Sequence, residues 1–349
     1  MIKLKFPALM AKVKVLNSKI LNRDDFQNLV NSSSVFEIAE YLKNNTHYSK
    51  IFENTDISKI HRRDVEILIR KSILKDFYNI YFYLPVEGQR FFRVMEKRFE
   101  IENIKFVLRS LHSGHPEYIS KEKFFPLNHK TIDEDMLSSV KNFDDVLNIF
   151  KNTFYQPIID SAYQNYTKSK KIQHLLNAFD FWYFTKMKTT LSLIPEFGKN
   201  LKKIFYIQMD LANIQWIYRA KILFKLSTEE VLNFLMPISF NLSKTELQNI
   251  ATSENIDDFI NKISTCSYGK YFQNIDKNIF PYVIERICEK IILLYAKKLL
   301  SHTQNGFDVM SGYLYIREYE YKDLITLIEG KRYNFSNEKI KTFLLLAGD

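Results

Sequence analysis

The sequence predicts an all-α protein, and three observations carry that expectation. Helix breakers are scarce, with 8 Gly and 8 Pro in 349 residues, well below average usage. Apolar residues recur at three- and four-residue steps over long stretches, which is the spacing of one helix face. The chain also repeats itself with a period close to 110 residues, as expected of several copies of one helical unit. At 46% hydrophobic it can build a packed core, and its 29 Phe and 21 Tyr are expected mostly in helix–helix contacts. No segment alternates with the two-residue period of a strand.

The repeat rests on two phrases. One is an acid, two residues, Asn or Asp, then Ile or Leu: Glu100-Ile-Glu-Asn103-Ile104, Asp210-Leu-Ala-Asn213-Ile214 and Glu320-Tyr-Lys-Asp323-Leu324. The first two copies continue to Arg109 and Arg219 at the same offset. The other phrase lies upstream of each and reads Val35 to Leu42, Phe143 to Phe150 and Ile256 to Ile263. Two phrases in the same order, at spacings of 108 to 113 residues, divide the chain into units at 1–88, 89–198 and 199–349, the last with a closing C-terminal helix.

Each unit reads as a long helix, two short helices and another long helix. In the first, Pro7 to Ile20 is helical and Asn22 caps a short helix from Arg23, its side chain accepting from free N–H groups. Ser33 or Ser34 does the same before Val35 to Lys43. A long helix from Ser58 to Leu84 carries Val65, Ile69, Ile73, Phe77 and Ile80 on one face, with Pro85 and Gly88 expected to end it. The second unit opens with Phe91 to Leu111. After a loop from Ser113 to His129 come short helices at Asp133–Val140 and Phe143–Phe150, then a long aromatic helix centred on Ala178–Phe184. Leu201 to Phe224 opens the third unit, and Ser227 with Glu230 has the spacing of a capping box. Pro281 to Leu300 is its long helix, with Ile284, Cys288, Ile291 and Leu299 on the apolar side. A last helix near Glu318 to Glu329 is a fourth copy of the opening element. It is expected to pack beside the N-terminal helix and close a ring-like or funnel-like body.

Composition limits the function classes. The net charge is +10, from 50 Lys and Arg against 40 Asp and Glu. Such an excess suits nucleic acid, an anionic membrane surface or an acidic partner, but here it is scattered along the chain, as on an ordinary solvated surface. Two cysteines, Cys266 and Cys288, fit a reducing compartment. The N-terminus lacks the continuous apolar core of a signal peptide, and the most apolar run, Ile291 to Leu300, is broken by Lys297 and Lys298, too short to span a bilayer. A soluble, cytoplasmic chain is expected.

The chemical motifs are mostly missing. Gly198-Lys199, Gly269-Lys270 and Gly330-Lys331 lack the upstream glycine and following Ser or Thr of a phosphate-binding loop, and no G-x-S-x-G elbow occurs. His112-Ser-Gly-His115 resembles a helix end more than a zinc ligand pair. No cofactor, metal or small-molecule substrate is expected. The recurring acid and Asn or Asp lie three apart, on one helix face, beside Phe99, Phe106, Met209, Trp216 and Tyr319. Paired carboxylates could serve acid–base chemistry, yet each unit supplies one acid, with Glu102 extra in the first alone. Glu100, Asn103, Arg109, Asp210, Asn213, Arg219, Glu320 and Asp323 are therefore read as polar pins that join neighbouring helices through buried hydrogen bonds.

The chain resembles the C subunit of bacterial and archaeal V/A-type ATPases, the family known as the d subunit in eukaryotic V-ATPases. The stretches that carry this are Ala11 to Leu21 with Thr46-His-Tyr48, then Arg98-Phe-Glu-Ile-Glu-Asn-Ile-Lys-Phe-Val-Leu-Arg109, Asp210-Leu-Ala-Asn-Ile-Gln-Trp-Ile-Tyr-Arg-Ala-Lys221 and Leu226 to Val231. The similarity runs over essentially the whole chain and is weakest in the last hundred residues, where Glu329 stands in place of the Arg. It implies a funnel-shaped helical protein with threefold pseudo-symmetry and no catalytic role. Such a protein would sit peripherally on the cytoplasmic face of the membrane, capping the proteolipid ring and holding the central stalk, so that the rotor turns as one body. Two other readings compete. A helical-repeat RNA- or protein-binding scaffold needs Lys and Arg gathered on one face. An enzyme needs ionisable groups peculiar to one unit, for which His112, His115 and Glu102 are the candidates.

Overall fold

The computed structural model describes residues 6–193, 198–236 and 240–347. Among these residues the regular elements are helical and no β-strand forms. The α-helices are α1 (Pro7–Asn17), α2 (Arg23–Asn31), α3 (Val35–Asn45), α4 (Arg62–Tyr81), α5 (Val86–His112), α6 (Glu134–Ser139), α7 (Phe143–Phe150) and α8 (Gln156–Ser169). They continue with α9 (Gln173–Ser192), α10 (Lys199–Ile217), α11 (Thr228–Phe234), α12 (Lys244–Ala251), α13 (Ile256–Ser264), α14 (Phe280–His302), α15 (Gly306–Arg332) and α16 (Asn337–Phe343). The all-α class expected from the breaker-poor sequence is what the chain adopts.

Local chemistry explains where the short helices start. Asn22, Ser34, Asn142, Ser243, Asn255 and Ser336 each accept a hydrogen bond from a backbone N–H of the first turn, satisfying donors that have no partner inside the helix. Reciprocal capping boxes form at Asn22/Asp25, Asn142/Asp145, Ser227/Glu230 and Ser243/Glu246. The long helices depart from the expected boundaries. The Ser58–Leu84 stretch is helical from Arg62 to Tyr81. Pro85 does not end that helix but stands at the N-cap of α5, and Gly88 lies inside α5, because proline is tolerated at a helix start, where its missing N–H costs nothing. The long aromatic helix centred on Ala178–Phe184 is α9, and α8 is a further helix ahead of it, separated from it where Lys170 takes a left-handed φ of 57°. The helix expected near Glu318–Glu329 is much longer, with 27 residues from Gly306, and it is not the last, since α16 follows it. Beyond Ile217, α10 continues as a π-helix over Tyr218–Leu223.

The chain divides into two compact units, one formed by Met1–Glu66 with Glu196–Asp349, the other by Ile67–Pro195. In the discontinuous unit α15 is the central element and packs on α14, α1, α10, α3 and α16. Two glycines allow its close approaches. A Cβ on Gly312 would stand 2.6 Å from the Ala296 carbonyl oxygen of α14, and one on Gly330 would stand 2.7 Å from the Ile340 side chain of α16. In the continuous unit α9 packs on α5 and α8, and Phe77 of α4 meets Phe92 of α5 with ring centroids 3.6 Å apart.

Candidate functional site

The recurring acids are buried, and each gathers a similar set of donors. On α5, Glu100 accepts the Ile132 N–H at 3.0 Å, the Thr131 N–H, the Tyr155 hydroxyl at 3.0 Å and the Lys97 ammonium at 2.7 Å. Lys97 also donates to the His129 carbonyl and the Thr131 hydroxyl. One turn on, Asn103 bonds a single loop residue twice: its Oδ1 accepts the Phe125 N–H at 2.8 Å and its Nδ2 donates to the Phe125 carbonyl at 3.0 Å.

On α10, Asp210 accepts the N–H groups of Phe240, Asn241 and Leu242 at 2.9, 2.8 and 3.3 Å and the Tyr268 hydroxyl at 2.9 Å. Asn213 treats Met236 as Asn103 treats Phe125, accepting its N–H at 2.9 Å and donating to its carbonyl at 3.3 Å. Three residues before Asp210, where the first copy has Lys97, stands the buried Ile207. No cation pairs with Asp210 among the described residues, and burial raises its carboxyl above the usual range against the pull of its three backbone N–H donors and Tyr268.

On α15, Glu320 accepts the Leu21 N–H at 3.0 Å, the Tyr48 hydroxyl at 2.7 Å and Arg317 Nη1 at 3.0 Å. Arg317, 1% exposed, also donates to the Tyr48 hydroxyl at 2.5 Å, and its guanidinium stacks 5.0 Å from that ring. Asp323 accepts the Leu345 and Leu346 N–H groups at 2.8 and 2.7 Å.

The three sets share a logic. Leu21, Ile132 and Leu242 each immediately precede an N-cap, at Asn22, Asp133 and Ser243. Tyr48, Tyr155 and Tyr268 each lie shortly beyond the second short helix. One acid therefore fastens both ends of a short-helix pair to a long helix, and the Asn or Asp fastens a further loop. The partners are loop amides and tyrosine hydroxyls rather than neighbouring helices, since a buried loop must find acceptors for its N–H groups. Burial beside a carboxylate lifts all three phenols well above their usual range, so they remain donors. Arg109 and Arg219 do not join these sets. Both are exposed, and Arg219 pairs with Glu285 at 3.4 Å.

Sequence reasoning missed the three tyrosines and the cations Lys97 and Arg317. A signal existed: each tyrosine follows its copy of the upstream phrase at nearly the same distance, and Lys97 and Arg317 stand three before their acids. It also missed Glu96, which is fully buried and accepts the Asn128 and His129 N–H groups and meets His129 Nδ1 at 2.8 Å. The other candidates lie apart. His112 ends α5, with Nδ1 3.0 Å from the Tyr166 hydroxyl, and His115 meets Glu117 at 2.8 Å. Burial pushes the Cys266 and Cys288 thiols up to about 11 and about 12, which disfavours the reactive thiolate. Among the described residues no three His, Cys, Asp or Glu gather to hold a metal. An apolar pocket of about 360 Å³ lies between Ile325, Gly330, Tyr333, Phe335, Ile340 and Phe343.

The sequence profile of the ATP synthase (C/AC39) subunit family matches residues 9–343. This chain belongs to that family. It is similar to the A-type ATP synthase C subunit of Methanocaldococcus jannaschii, with 22% identity covering 96% of this chain and 85% of the relative. The corresponding proteins of Methanosphaera stadtmanae and Methanobrevibacter smithii are 22% and 23% identical, each with 96% of this chain and 86% of the relative covered. As a member of the family, the chain is a peripheral, non-catalytic subunit of a rotary ATP synthase, and the RNA-scaffold alternative finds no support. No helix among the described residues is long and apolar enough to cross a membrane.

Proposed function

We propose that this protein couples the central stalk to the membrane proteolipid ring, from the cytoplasmic face, during ATP-driven ion transport or ATP synthesis. The observation that carries the reading is the family match over residues 9–343. A coupling protein transmits torque, and its parts must not slip against one another under load. The buried acids suit that demand. Glu100, Asn103, Asp210, Asn213, Glu320 and Asp323 act in this proposal as pins that hold short helices and loops in register on the long helices, a specificity role that buried polar groups can fill. The units 1–88, 89–198 and 199–349 are proposed as three related copies; the Glu100 set lies within 89–198 and the Asp210 set within 199–349, while Glu320 of 199–349 takes its Leu21 and Tyr48 donors from 1–88. The basic surface suits acidic stalk residues or anionic headgroups equally.

The test is affinity capture of the tagged chain from detergent-solubilised, nuclease-treated native membranes, with mass spectrometry of what is retained. Stalk proteins, proteolipid and nucleotide-binding subunits are expected together. Capture of the nucleotide-binding subunits without stalk or proteolipid would sink the coupling role, though family membership would stand.

A further inference from the structure

Asp323 is the odd member of its set. Asn103 and Asn213 each accept a loop N–H and donate an amide N–H to the same residue's carbonyl. An ionised carboxylate cannot donate. Asp323 instead turns Oδ2 to both the Leu345 and the Leu346 N–H, while its Oδ1 is buried without a hydrogen bond. Charged groups face it from two helices. From α14, Arg286 Nη1 lies 3.8 Å from Oδ1, but that guanidinium is already engaged by Glu289 at 2.9 Å and by Thr326. Glu289, also on α14, adds a repulsive charge and is itself paired with Lys322 of α15 at 2.5 Å. The C-terminal stretch meets Asp323 with backbone N–H groups. The ionised side chain thus keeps a charged oxygen, wholly shut from water, with a shared guanidinium as compensation, an arrangement that costs desolvation energy. A proton on Oδ1 removes that charge and restores the donor-plus-acceptor character of the two asparagines.

We propose that Asp323 is a proton-binding site that latches the C-terminal stretch 344–346: with the proton bound the stretch stays docked on α15, and without it the stretch opens more often. The claim is independent of the assembly the protein enters. Burial pushes the carboxyl up to about 7, against the pull of the Leu346 N–H and Arg286, so the site titrates near neutrality. The sign follows from linkage: a group whose docked-state value is raised above its solvent value contributes stability below the solvent value and loses it as pH rises through the docked value. Between pH 6 and pH 8 the opening equilibrium is expected to grow by up to about tenfold.

Hydrogen–deuterium exchange resolved to single amides tests this on the intact chain, with rates corrected for intrinsic pH dependence. The Leu345 and Leu346 amides are expected to lose up to about tenfold protection from pH 6 to pH 8. The Phe125 and Met236 amides, held by asparagines that do not titrate, are expected to stay flat and serve as controls in the same sample. In Asp323→Asn, the loss at Leu345 and Leu346 is expected to vanish. Flat wild-type protection at Leu345 and Leu346, an equal loss at Phe125 and Met236, or an undiminished loss in a folded Asp323→Asn protein would each overturn the latch. Should the variant fail to fold, the comparison of four amides in the wild type still decides.

Discussion

Asp210 and Glu100 show how one residue-level difference changes what a buried acid tolerates. Glu100 has Lys97 beside it at 2.7 Å, whereas Asp210 relies on three amides and the Tyr268 hydroxyl. Hydrogen bonds to charged groups are worth about 1.5–3 kcal/mol. Tyr268→Phe is therefore expected to cost an amount near the top of that range, and Tyr155→Phe less, in urea unfolding at neutral pH. Equal losses would show that the cation does not compensate. Asp308 supplies a pH test. Its Oδ2 accepts from Asn200 at 2.7 Å while its Oδ1 is buried without a hydrogen bond, and burial raises its carboxyl above the ordinary value of 3.8. A raised folded-state value means stability present below pH 3.8 and lost as pH rises through the folded value. Asp308→Asn should thus gain on the wild type as pH rises from 3.8 until the folded-state carboxyl is fully ionised, and urea midpoints that keep a constant difference from acid to neutral pH would refute it. Glu100 and Asp210 were legible in the sequence as a pattern. Their loop-amide donors were not, because nothing local to residue 210 says which loop will arrive above it.

At the scale of elements, the short helices were the most legible. Ser34, Asn142 and Asn255 stand before Val35, Phe143 and Ile256, and capping is an interaction of three residues that a sequence displays directly. Asn142→Ala is expected to cost about 1 kcal/mol, read as a shift of the urea midpoint. The long helices were harder. Lys170 breaks the α8–α9 stretch with neither Gly nor Pro to announce it, and Pro85 opens a helix where it was expected to close one. Gly312 and Gly330 sit inside α15, where glycine by propensity weakens a helix. Their presence makes sense only against their neighbours. Gly312→Ala would press on the backbone of α14, which cannot yield as a side chain can, and is expected to cost about 1–3 kcal/mol. Gly330→Ala meets Cγ1 of the Ile340 side chain at 2.7 Å, not backbone, and should cost less. A thermal shift larger for Gly330→Ala would reverse that ranking.

At the scale of the molecule, α15 ties the two ends of the chain together. Glu320 binds Leu21 and Tyr48 while Asp323 binds Leu345 and Leu346. Glu320→Ala would remove the carboxylate that accepts from Leu21, Tyr48 and Arg317, and breaking a buried pair in this way costs about 3–5 kcal/mol. Limited proteolysis should then cut first between residues 18 and 48. Protection of that segment equal to wild type would mean that apolar packing of α1 and α3 holds it without the acid. The same helix links stability to role, since a protein proposed to carry torque needs its N- and C-terminal segments anchored to a common element.

Helix class, capping positions, the repeated phrases and the family resemblance could all be read from the chain in order, because each depends on residue type and on spacings of a few residues or on a period visible along the sequence. The identity of the loop amides that bond Glu100, Asp210 and Glu320, the exposure of Arg109 and Arg219, and the tight approaches at Gly312 and Gly330 emerged with folding. Those features depend on which loop or helix reaches a given face across tens to hundreds of residues. That meeting is set by the packing of the entire unit, and no local pattern encodes it.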